Sequence, residues 1–231
     1  MKKILKYAFM AMLVMTMIMA IPSKSEASSS DVSVAKTGIS YYDKYIMYCG
    51  ETTYIQNTRF IALDGISDLT VTSSNTNICT TYVSYNKKKA QYKILLKYNN
   101  PGKAKINVSY NYNGTTYTSR ARIKVVKYTN PLKSFKIGTK EYRKKFNAKK
   151  VSLTDTNAYG YFRAKGKKTI DVKFKKGYKM TDAYYIVRGT SKYKSNYNAS
   201  KKVKLSKVGF YYFIYKDKQG YKGRVVWGNY N

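Results

Sequence analysis

An alternating hairpin pattern in the middle of the chain constrains the fold more than any other feature. Residues 105–112 alternate apolar side chains such as Ile106 and Val108 with polar neighbours, and residues 115–126 repeat the alternation. A period of two places alternate side chains on opposite faces of a β-strand. Asn113-Gly114, between the two runs, is a strong signal for a two-residue hairpin turn. This part of the chain is therefore expected to form an antiparallel pair with one buried face.

Short strand-like runs separated by turn residues continue from Ile39 to the C-terminus, without the apolar spacing of an amphipathic helix. The 27 Tyr residues, together with Val, Ile and Thr, favour strands. The sequence predicts an all-β fold of two tandem β-sandwiches. The predicted strands are 45–48, 52–63, 69–72, 78–85, 92–98, 105–112, 115–126, 132–137, 159–164, 169–174, 183–188, 201–205, 209–216 and 221–227.

The N-terminus has the order of a secretory signal peptide. Lys2, Lys3 and Lys6 precede an apolar run over residues 7–21, which is shorter than the ~20 residues of a transmembrane helix. Ser25-Glu26-Ala27 then places small residues at a cleavage site. Cleavage after Ala27 predicts a secreted or cell-surface-associated protein with no transmembrane segment in the mature chain. The alternative is an uncleaved membrane anchor.

The rest of the chain divides at Asn130-Pro131, because proline ends the preceding strand and the density of charge rises after it. Residues 28–37 are polar and rich in serine, as in a disordered leader. The expected organisation is a signal peptide at 1–27, the leader at 28–37, a first sandwich at 38–128 and a second, strongly basic sandwich at 132–231.

Positive charge is abundant and unevenly distributed. The chain has 45 Lys and Arg against 11 Asp and Glu, a formal net charge of +34. Residues 28–131 carry 14 basic and 5 acidic side chains, whereas residues 132–231 carry 27 basic and 5 acidic ones. Such a field attracts polyanions and depends steeply on salt. The alternative is that the lysines only solvate outer faces and protect strand edges.

The second half is therefore predicted to bind an anionic cell-wall polymer, an acidic glycan or another polyanion. Nucleic acid is a further polyanion, but the chain has no nucleic-acid-binding motif. The candidate residues are Arg143, Lys144, Lys145, Lys149, Lys150, Lys167, Lys168, Lys175, Lys176, Lys201 and Lys202. Tyr193, Tyr197 and Trp227 are a candidate aromatic platform, since rings interleaved with cations stack on sugars or bases. Packing of these rings in the core is the alternative.

No catalytic residue, metal site or cofactor is predicted. Histidine is absent, which removes the commonest general base and metal ligand. Residues 84–87 and 191–194 match the Ser-x-x-Lys spacing of some hydrolases, but lysine is so frequent that such matches are expected by chance. Asp64 and Asp68 flank a glycine-containing turn and supply too few oxygens for a calcium cage.

Cys49 and Cys79 are the two cysteines of the chain. In an exported protein they are a candidate disulfide, which would close a loop of about 30 residues and stabilise the fold by ~3 kcal/mol. The alternative is two buried free thiols, because the sequence does not show whether the two Cα atoms lie within the ~7 Å limit.

Three segments of the first half carry a family resemblance. Gly50-Glu51-Thr52 opens an early strand, residues 71–78 read VTSSNTNI, and residues 101–108 read PGKAKINV. These segments resemble bacterial immunoglobulin-like domains of group 2, which occur in surface proteins and adhesins, over residues 38–128. The family's tryptophan before the serines is missing, because Val71 and Thr72 stand in that region. The resemblance implies an immunoglobulin-like sandwich that acts as a stalk or a binding module.

The combined prediction is two tandem immunoglobulin-like sandwiches in a non-enzymatic, adhesive or binding protein that engages an anionic polymer or surface. The alternatives are a carbohydrate-active or lysine-dependent hydrolytic enzyme and a cationic membrane-active protein. A deep cleft with convergent polar groups would favour an enzyme. A contiguous basic face with exposed apolar residues would favour membrane activity.

Overall fold

The computed structural model describes residue 39 and residues 42–55, 66–87, 91–112, 114–154, 156–195 and 202–229. These residues form an all-β sandwich fold, which confirms the predicted fold class. All of them belong to one compact unit, Val34–Asn231. The strands are β1 (Tyr45–Tyr48), β2 (Thr52–Ile55), β3 (Ile66–Ser73), β4 (Cys79–Asn86), β5 (Gln91–Tyr98), β6 (Gly102–Tyr112), β7 (Thr115–Val126), β8 (Leu132–Ile137), β9 (Lys140–Glu141), β10 (Ser152–Thr154), β11 (Asn157–Tyr161), β12 (Lys167–Lys168), β13 (Ile170–Phe174), β14 (Tyr178–Val187), β15 (Tyr193–Ser195), β16 (Val203–Lys204), β17 (Val208–Asp217) and β18 (Lys222–Gly228). Short 3-10 helices lie at Arg143–Phe146 and Leu205–Lys207.

The first half is a two-sheet sandwich around one core. Strands β2, β5 and β4 form one sheet in that order, and β1, β7, β6 and β3 are successive neighbours in the other. Ile94 and Leu96 of the first sheet share a buried cluster with Ile106 and Ile123 of the second. With β2 taken as strand B, the two sheets have the orders B-E-D and C-F-G of an immunoglobulin sandwich, whereas β1, in the place of strand A, pairs with strand G.

The second half packs a larger sheet against a smaller one. Strands β15, β14, β17 and β18 are successive neighbours, and β11 pairs in parallel with β18. The smaller sheet has the order β13-β8-β9. Phe135 of the smaller sheet meets Phe213 and Trp227 of the larger one edge to face, with ring centroids 5.4 and 6.3 Å apart. Aromatic contacts of this geometry are a major part of the second core.

Strand β1 joins the two halves. It pairs in parallel with β7 of the first half and with β18 of the second. Tyr45 and Met47 pack in the first core, whereas Ile46 and Tyr48 pack in the second. Since alternate side chains of a strand point to opposite faces, the two cores lie on opposite faces of one continuous sheet at β1. The domain bounds of 38–128 and 132–231 stay a prediction, but β1 contributes to both cores.

Most strands lie where the alternation predicts them. Residues 45–48, 115–126 and 132–137 are strands over the predicted bounds. The predicted central hairpin is confirmed by the pairing of Tyr112 with Thr115 beside Gly114, whose φ is +74°. Strands β9, β10, β12 and β15 escape prediction because two or three residues are too few to show a period. The signal peptide, the leader and residues 56–63 of the predicted 52–63 strand lie outside the described residues.

Candidate functional site

The predicted cluster around Arg143 lies on a 3-10 helix that is fastened to the second core. Phe146 ends this helix and is fully buried. The Tyr128 hydroxyl donates a 2.7 Å hydrogen bond to the Phe146 carbonyl, which anchors the segment from a second side. The predicted lysines of this segment point to solvent: Lys144 and Lys145 on the helix, and Lys149 and Lys150 in the turn that follows.

A second cluster forms where two short strands meet. Lys167 and Lys168 make up β12, which pairs with β16 so that Lys167 lies directly opposite Lys204. Lys202 precedes β16 and is exposed, whereas Lys201 lies outside the described residues. Lys204 is absent from the sequence-based candidates because only the register of the ladder brings it to the cluster. We name Lys167 and Lys204 the lysine pair.

A third cluster crosses three neighbouring strands. Lys179 of β14 lies opposite Lys216 of β17, and Lys216 lies opposite Lys222 of β18. Directly opposed residues point to the same face, so three ammonium groups share one face on strands ~4.8 Å apart. We name these three residues the lysine row. Sequence reasoning misses the row because its members come from three separate segments of the chain.

The predicted residues Lys175 and Lys176 flank the lysine row. They belong to the turn before β14, which closes through a hydrogen bond from the Tyr178 N–H to the Lys175 carbonyl. Lys218, in the β17–β18 turn, reaches the same place, since its Cε lies 3.6 Å from where a Cβ on Gly177 would be. The two turns therefore add three lysines to the end of the sheet that carries the row.

Asp217 follows Lys216 in sequence but is engaged elsewhere. Its carboxylate accepts a 2.6 Å hydrogen bond from Lys124 Nζ and further bonds from the N–H groups of Gln219 and Tyr221. Burial raises the pKa of Asp217, but these hydrogen bonds outweigh it and hold the pKa below its ordinary value. Asp217 thus stabilises the hairpin turn and binds a lysine of the first half instead of the lysine row.

The first half also has opposed cations, but these are compensated. Lys103 lies opposite Lys124, and Lys105 lies opposite Arg122. One member of each pair binds an acid: Lys124 binds Asp217, and Arg122 binds Asp43. The Arg122 hydrogen bond lowers the pKa of Asp43. The ion pairs of the described residues include no member of the lysine row or the lysine pair, so the opposed lysines that lack an acidic partner lie in the second half.

The aromatic-platform prediction is wrong for Trp227. Its ring is fully buried and stacks on Phe162 with centroids 5.3 Å apart. The Trp227 Nε1–H donates a 2.9 Å hydrogen bond to the Phe162 carbonyl. This face of β18 packs in the second core, so the ring is closed to a ligand. Tyr193 is 53% exposed on edge strand β15, and Tyr197 lies outside the described residues.

The Ser-x-x-Lys matches lie in solvent. Ser84 and Lys87 are exposed, as are Ser191 and Lys194, and a lysine acts as a base only where burial or a neighbouring cation lowers its pKa.

Within the described part of the chain, no three His, Cys, Asp or Glu side chains gather to hold a metal ion. No helix among the described residues is long and apolar enough to cross a membrane.

Both cysteines are free thiols in the structure. Cys79 is fully buried in the first core, and Cys49 packs against the same core. Burial raises the pKa of Cys49, and it raises the pKa of Cys79 to about 12. Cys79 is thus a buried thiol and Cys49 a partly buried one, and raised pKa values keep thiols protonated and weakly reactive at neutral pH. The disulfide between them stays a prediction.

Comparisons with known proteins find remote structural similarity alone. No protein-family model and no curated protein sequence matches the chain. The fibronectin(III)-like modules of CbhA from Clostridium thermocellum are 12% identical, with 81% of this chain and 90% of that chain covered and a TM-score of 0.32. Domains 5–6 of the S-layer protein SbsC are 12% identical, with 82% and 95% covered and a TM-score of 0.28. The adhesin InvE from Yersinia pseudotuberculosis is 11% identical, with 80% and 56% covered and a TM-score of 0.23. Similarity at these low TM-scores does not indicate a function.

Proposed function

We propose that the protein is a secreted or cell-surface-associated, non-enzymatic binding protein that holds an anionic polymer on the second half. The lysine row and the lysine pair are the central contacts, and Lys175, Lys176 and Lys218 extend the row. One observation carries the proposal: the lysines of the row and of the pair oppose one another in β-ladders, and none of them takes part in an ion pair of the described residues. Export rests on the signal-peptide pattern of residues 1–27.

Directly opposed lysines are unfavourable for the fold itself. Like charges opposite each other in a ladder destabilise it, whereas opposite charges contribute roughly 0.2–1 kcal/mol per pair. In the first half, Asp43 and Asp217 relieve the comparable repulsion. A ligand that brings negative charge to the lysine row would do the same in the second half. Binding of such a ligand should therefore also raise the stability of the folded state.

An extended polyanion fits the lysine row better than a small anion does. The row spreads three cations over about 10 Å across three strands. Lys179 and Lys216 are exposed, and Lys222 is half-buried beside the Tyr45 ring. Only seven of the 45 basic residues are arginine. Lysine ammonium groups act as point charges and lack the planar fork of arginine, so they respond to charge density more than to one group's shape. Repeated phosphate, sulfate or carboxylate groups along a polymer meet this requirement.

The test is binding of the whole protein to a glycerol-phosphate polymer and to a sulfated glycan across a salt series. Replacing all three residues of the lysine row with Gln should weaken binding by about tenfold or more at ~0.1 M salt. The affinity should also fall less steeply with salt, because a complex with fewer charge contacts releases fewer counterions when it forms.

A matched control removes the same charge elsewhere. Lys97, Lys133 and Lys207 are exposed, and none of them is paired with a basic residue in the described ladders. Their triple replacement with Gln should weaken binding much less than the triple replacement in the row. Equal losses for the two variants would mean that net charge alone governs binding, and the proposed site would be wrong.

A further inference from the structure

The edges of the described sheets are mostly protected against pairing with another chain. Edge strand β3 contains a bulge between Ser67 and Thr70, with Asp68 at a φ of +54°. The other protected edges are short or charged: β9 has two residues, both charged, β15 has three with Lys194 at the centre, and β13 carries Asp171 and Lys173. Bulges, charges and short length are the ways in which natural sheets avoid edge-to-edge association.

Strand β4 has none of these protections. Among the described strands it is an edge strand, and its eight residues, CTTYVSYN, include no charged side chain. Its register with β5 runs from Cys79 to Asn86 without a break. Tyr82, Val83 and Tyr85 are 52%, 38% and 50% exposed, and among the described residues of the first half they are the large exposed apolar side chains. An edge of this kind is a template for an added strand.

We propose that β4 is a self-association edge, on which β4 of a second copy adds in antiparallel orientation and extends the β2-β5-β4 sheet to six strands. The chemistry of the strand identifies the occupant. In an antiparallel pairing of two β4 strands, every opposed pair is uncharged, because the strand has no Lys, Arg, Asp or Glu. Copies with a net charge of +34 repel each other over the rest of their surface, so this uncharged edge is where they can approach.

The geometry limits the new ladder to one end of the strand. At the other end, the Thr81 hydroxyl donates a 2.9 Å hydrogen bond to the Val71 carbonyl of β3, so the neighbouring strand flanks β4 there. The open stretch begins at Tyr82 and runs through Tyr85. A ladder of this length is a small interface that forms at high local concentration. Crowding of the protein on a surface would supply that concentration.

Sedimentation equilibrium of the whole protein under reducing conditions tests the proposal. From about 10 μM to about 1 mM, the range in which so small an interface associates, the average mass should rise from one copy towards two. The association should strengthen with added salt, because salt screens the repulsion between the copies. Binding of a polyanion weakens with salt, so the two salt dependences have opposite signs and either can fail without the other.

Two variants with an added lysine give the comparison. Ser84→Lys places a charge on the open part of β4 and should raise the dimer dissociation constant by about tenfold or more, since two like charges then enter the ladder. Thr72→Lys adds the same charge to an exposed position of edge strand β3 and should leave the constant unchanged. Val83→Lys serves as a second test if Ser84→Lys perturbs the fold by circular dichroism.

Amide hydrogen exchange over residues 82–85 completes the test. Protection there should increase with protein concentration in the wild-type protein and in Thr72→Lys, and should stay low in Ser84→Lys. A wild-type protein that remains monomeric throughout the range overturns the proposal. So does protection that is independent of concentration, because it would assign the edge to another part of the same chain.

Discussion

At the scale of single residues, tyrosine serves two different environments in this protein. Tyr211 and Tyr212 are neighbours on β17 and point to opposite faces, yet both are buried. Tyr85 and Tyr193 are about half exposed on edge strands. The aromatic ring with a polar hydroxyl is compatible with either position. The environment of each tyrosine is therefore set by its neighbours, and the residue type alone does not distinguish a core ring from a surface ring.

Trp227 is an example of a ring packed in the core, and replacing it distinguishes a core role from a role in an exposed binding platform. Trp227→Ala should lower the free energy of unfolding by about 3–5 kcal/mol, because it removes a large buried side chain and its hydrogen bond to Phe162. Tyr193→Ala should change it by about 0.5 kcal/mol or less. Urea denaturation measures both. A Trp227→Ala variant with wild-type stability and impaired glycan binding would instead support an exposed platform.

The acids of the described structure define how stability depends on pH. The pKa values of Asp43, Glu141 and Asp217 lie below their ordinary values in the folded protein. A carboxyl group of this kind stabilises the fold above its unfolded-state pKa of about 4, and the contribution is lost as the pH falls through the folded-state pKa. No histidine titrates between pH 5 and 8. Stability should thus be nearly level there and fall below about pH 4.

Asp217→Asn tests the acid that binds a lysine of the other half of the chain. The variant should be less stable than the wild type at pH 7, because it loses the ion pair with Lys124. Its free energy of unfolding should also decrease less on acidification, so the two curves converge towards about pH 2. Urea denaturation at a series of pH values measures this. Parallel curves for the two proteins would show that Asp217 has the same pKa in the folded and unfolded states.

At the scale of elements, the register of the β-ladders decides which charges meet. Lys216 lies between Lys179 and Lys222, so one substitution alters two opposed pairs. Lys216→Glu should turn two repulsive pairs into attractive ones and raise the stability of the unliganded protein by roughly 0.5–2 kcal/mol. The same change should weaken polyanion binding. Thermal unfolding and a binding assay on the same variant measure the two effects.

The distinctive outcome of this experiment is that Lys216→Glu raises the stability of the fold and weakens polyanion binding. Lys216→Gln removes the repulsion without adding attraction, so both effects should be smaller than in Lys216→Glu. If Lys216→Glu lowers both stability and binding, then Lys216 supports the fold and the lysine row is not a binding site. If neither changes, the three lysines do not interact at all.

At the scale of the whole molecule, β1 makes the two halves structurally dependent on each other. Met47 is fully buried in the first core, while Trp227, the only tryptophan of the chain, is buried in the second. Met47→Ala should lower the stability of the first half by about 2–5 kcal/mol. Because β1 also pairs with β18, the urea transition reported by Trp227 fluorescence should move to lower urea as well.

Ile46→Ala is the matched variant, since Ile46 is the neighbouring residue of β1 and packs in the second core. Ile46→Ala should move the urea transition reported by Trp227 fluorescence to lower urea, because it removes a side chain of the core that contains Trp227. A single transition for all probes is expected in both variants if the halves unfold as one unit. A Trp227 transition that Met47→Ala leaves unchanged would mean that the halves are independent domains with the bounds 38–128 and 132–231.

The sequence by itself determined the local structure of this protein. The period of two in residues 105–126 and the Asn113-Gly114 turn specify strand, turn and buried face within about 20 residues, because alternation and turn chemistry are local properties. The all-β class follows from the same signals, and so does the positive charge of the second half. Strands of two or three residues, such as β12 and β15, show no period and cannot be predicted from the local sequence pattern.

Only the tertiary structure decided what depends on long-range pairing. Which lysines oppose one another follows from ladder registers between separate segments, and a slip of one residue would turn every side chain to the other face. The burial of Trp227 requires the smaller sheet to pack over β18. The place of β1 between β7 and β18 buries all four residues of a strand that alternation alone would leave half exposed. These features arise from contacts between distant parts of the chain, which a local pattern does not encode.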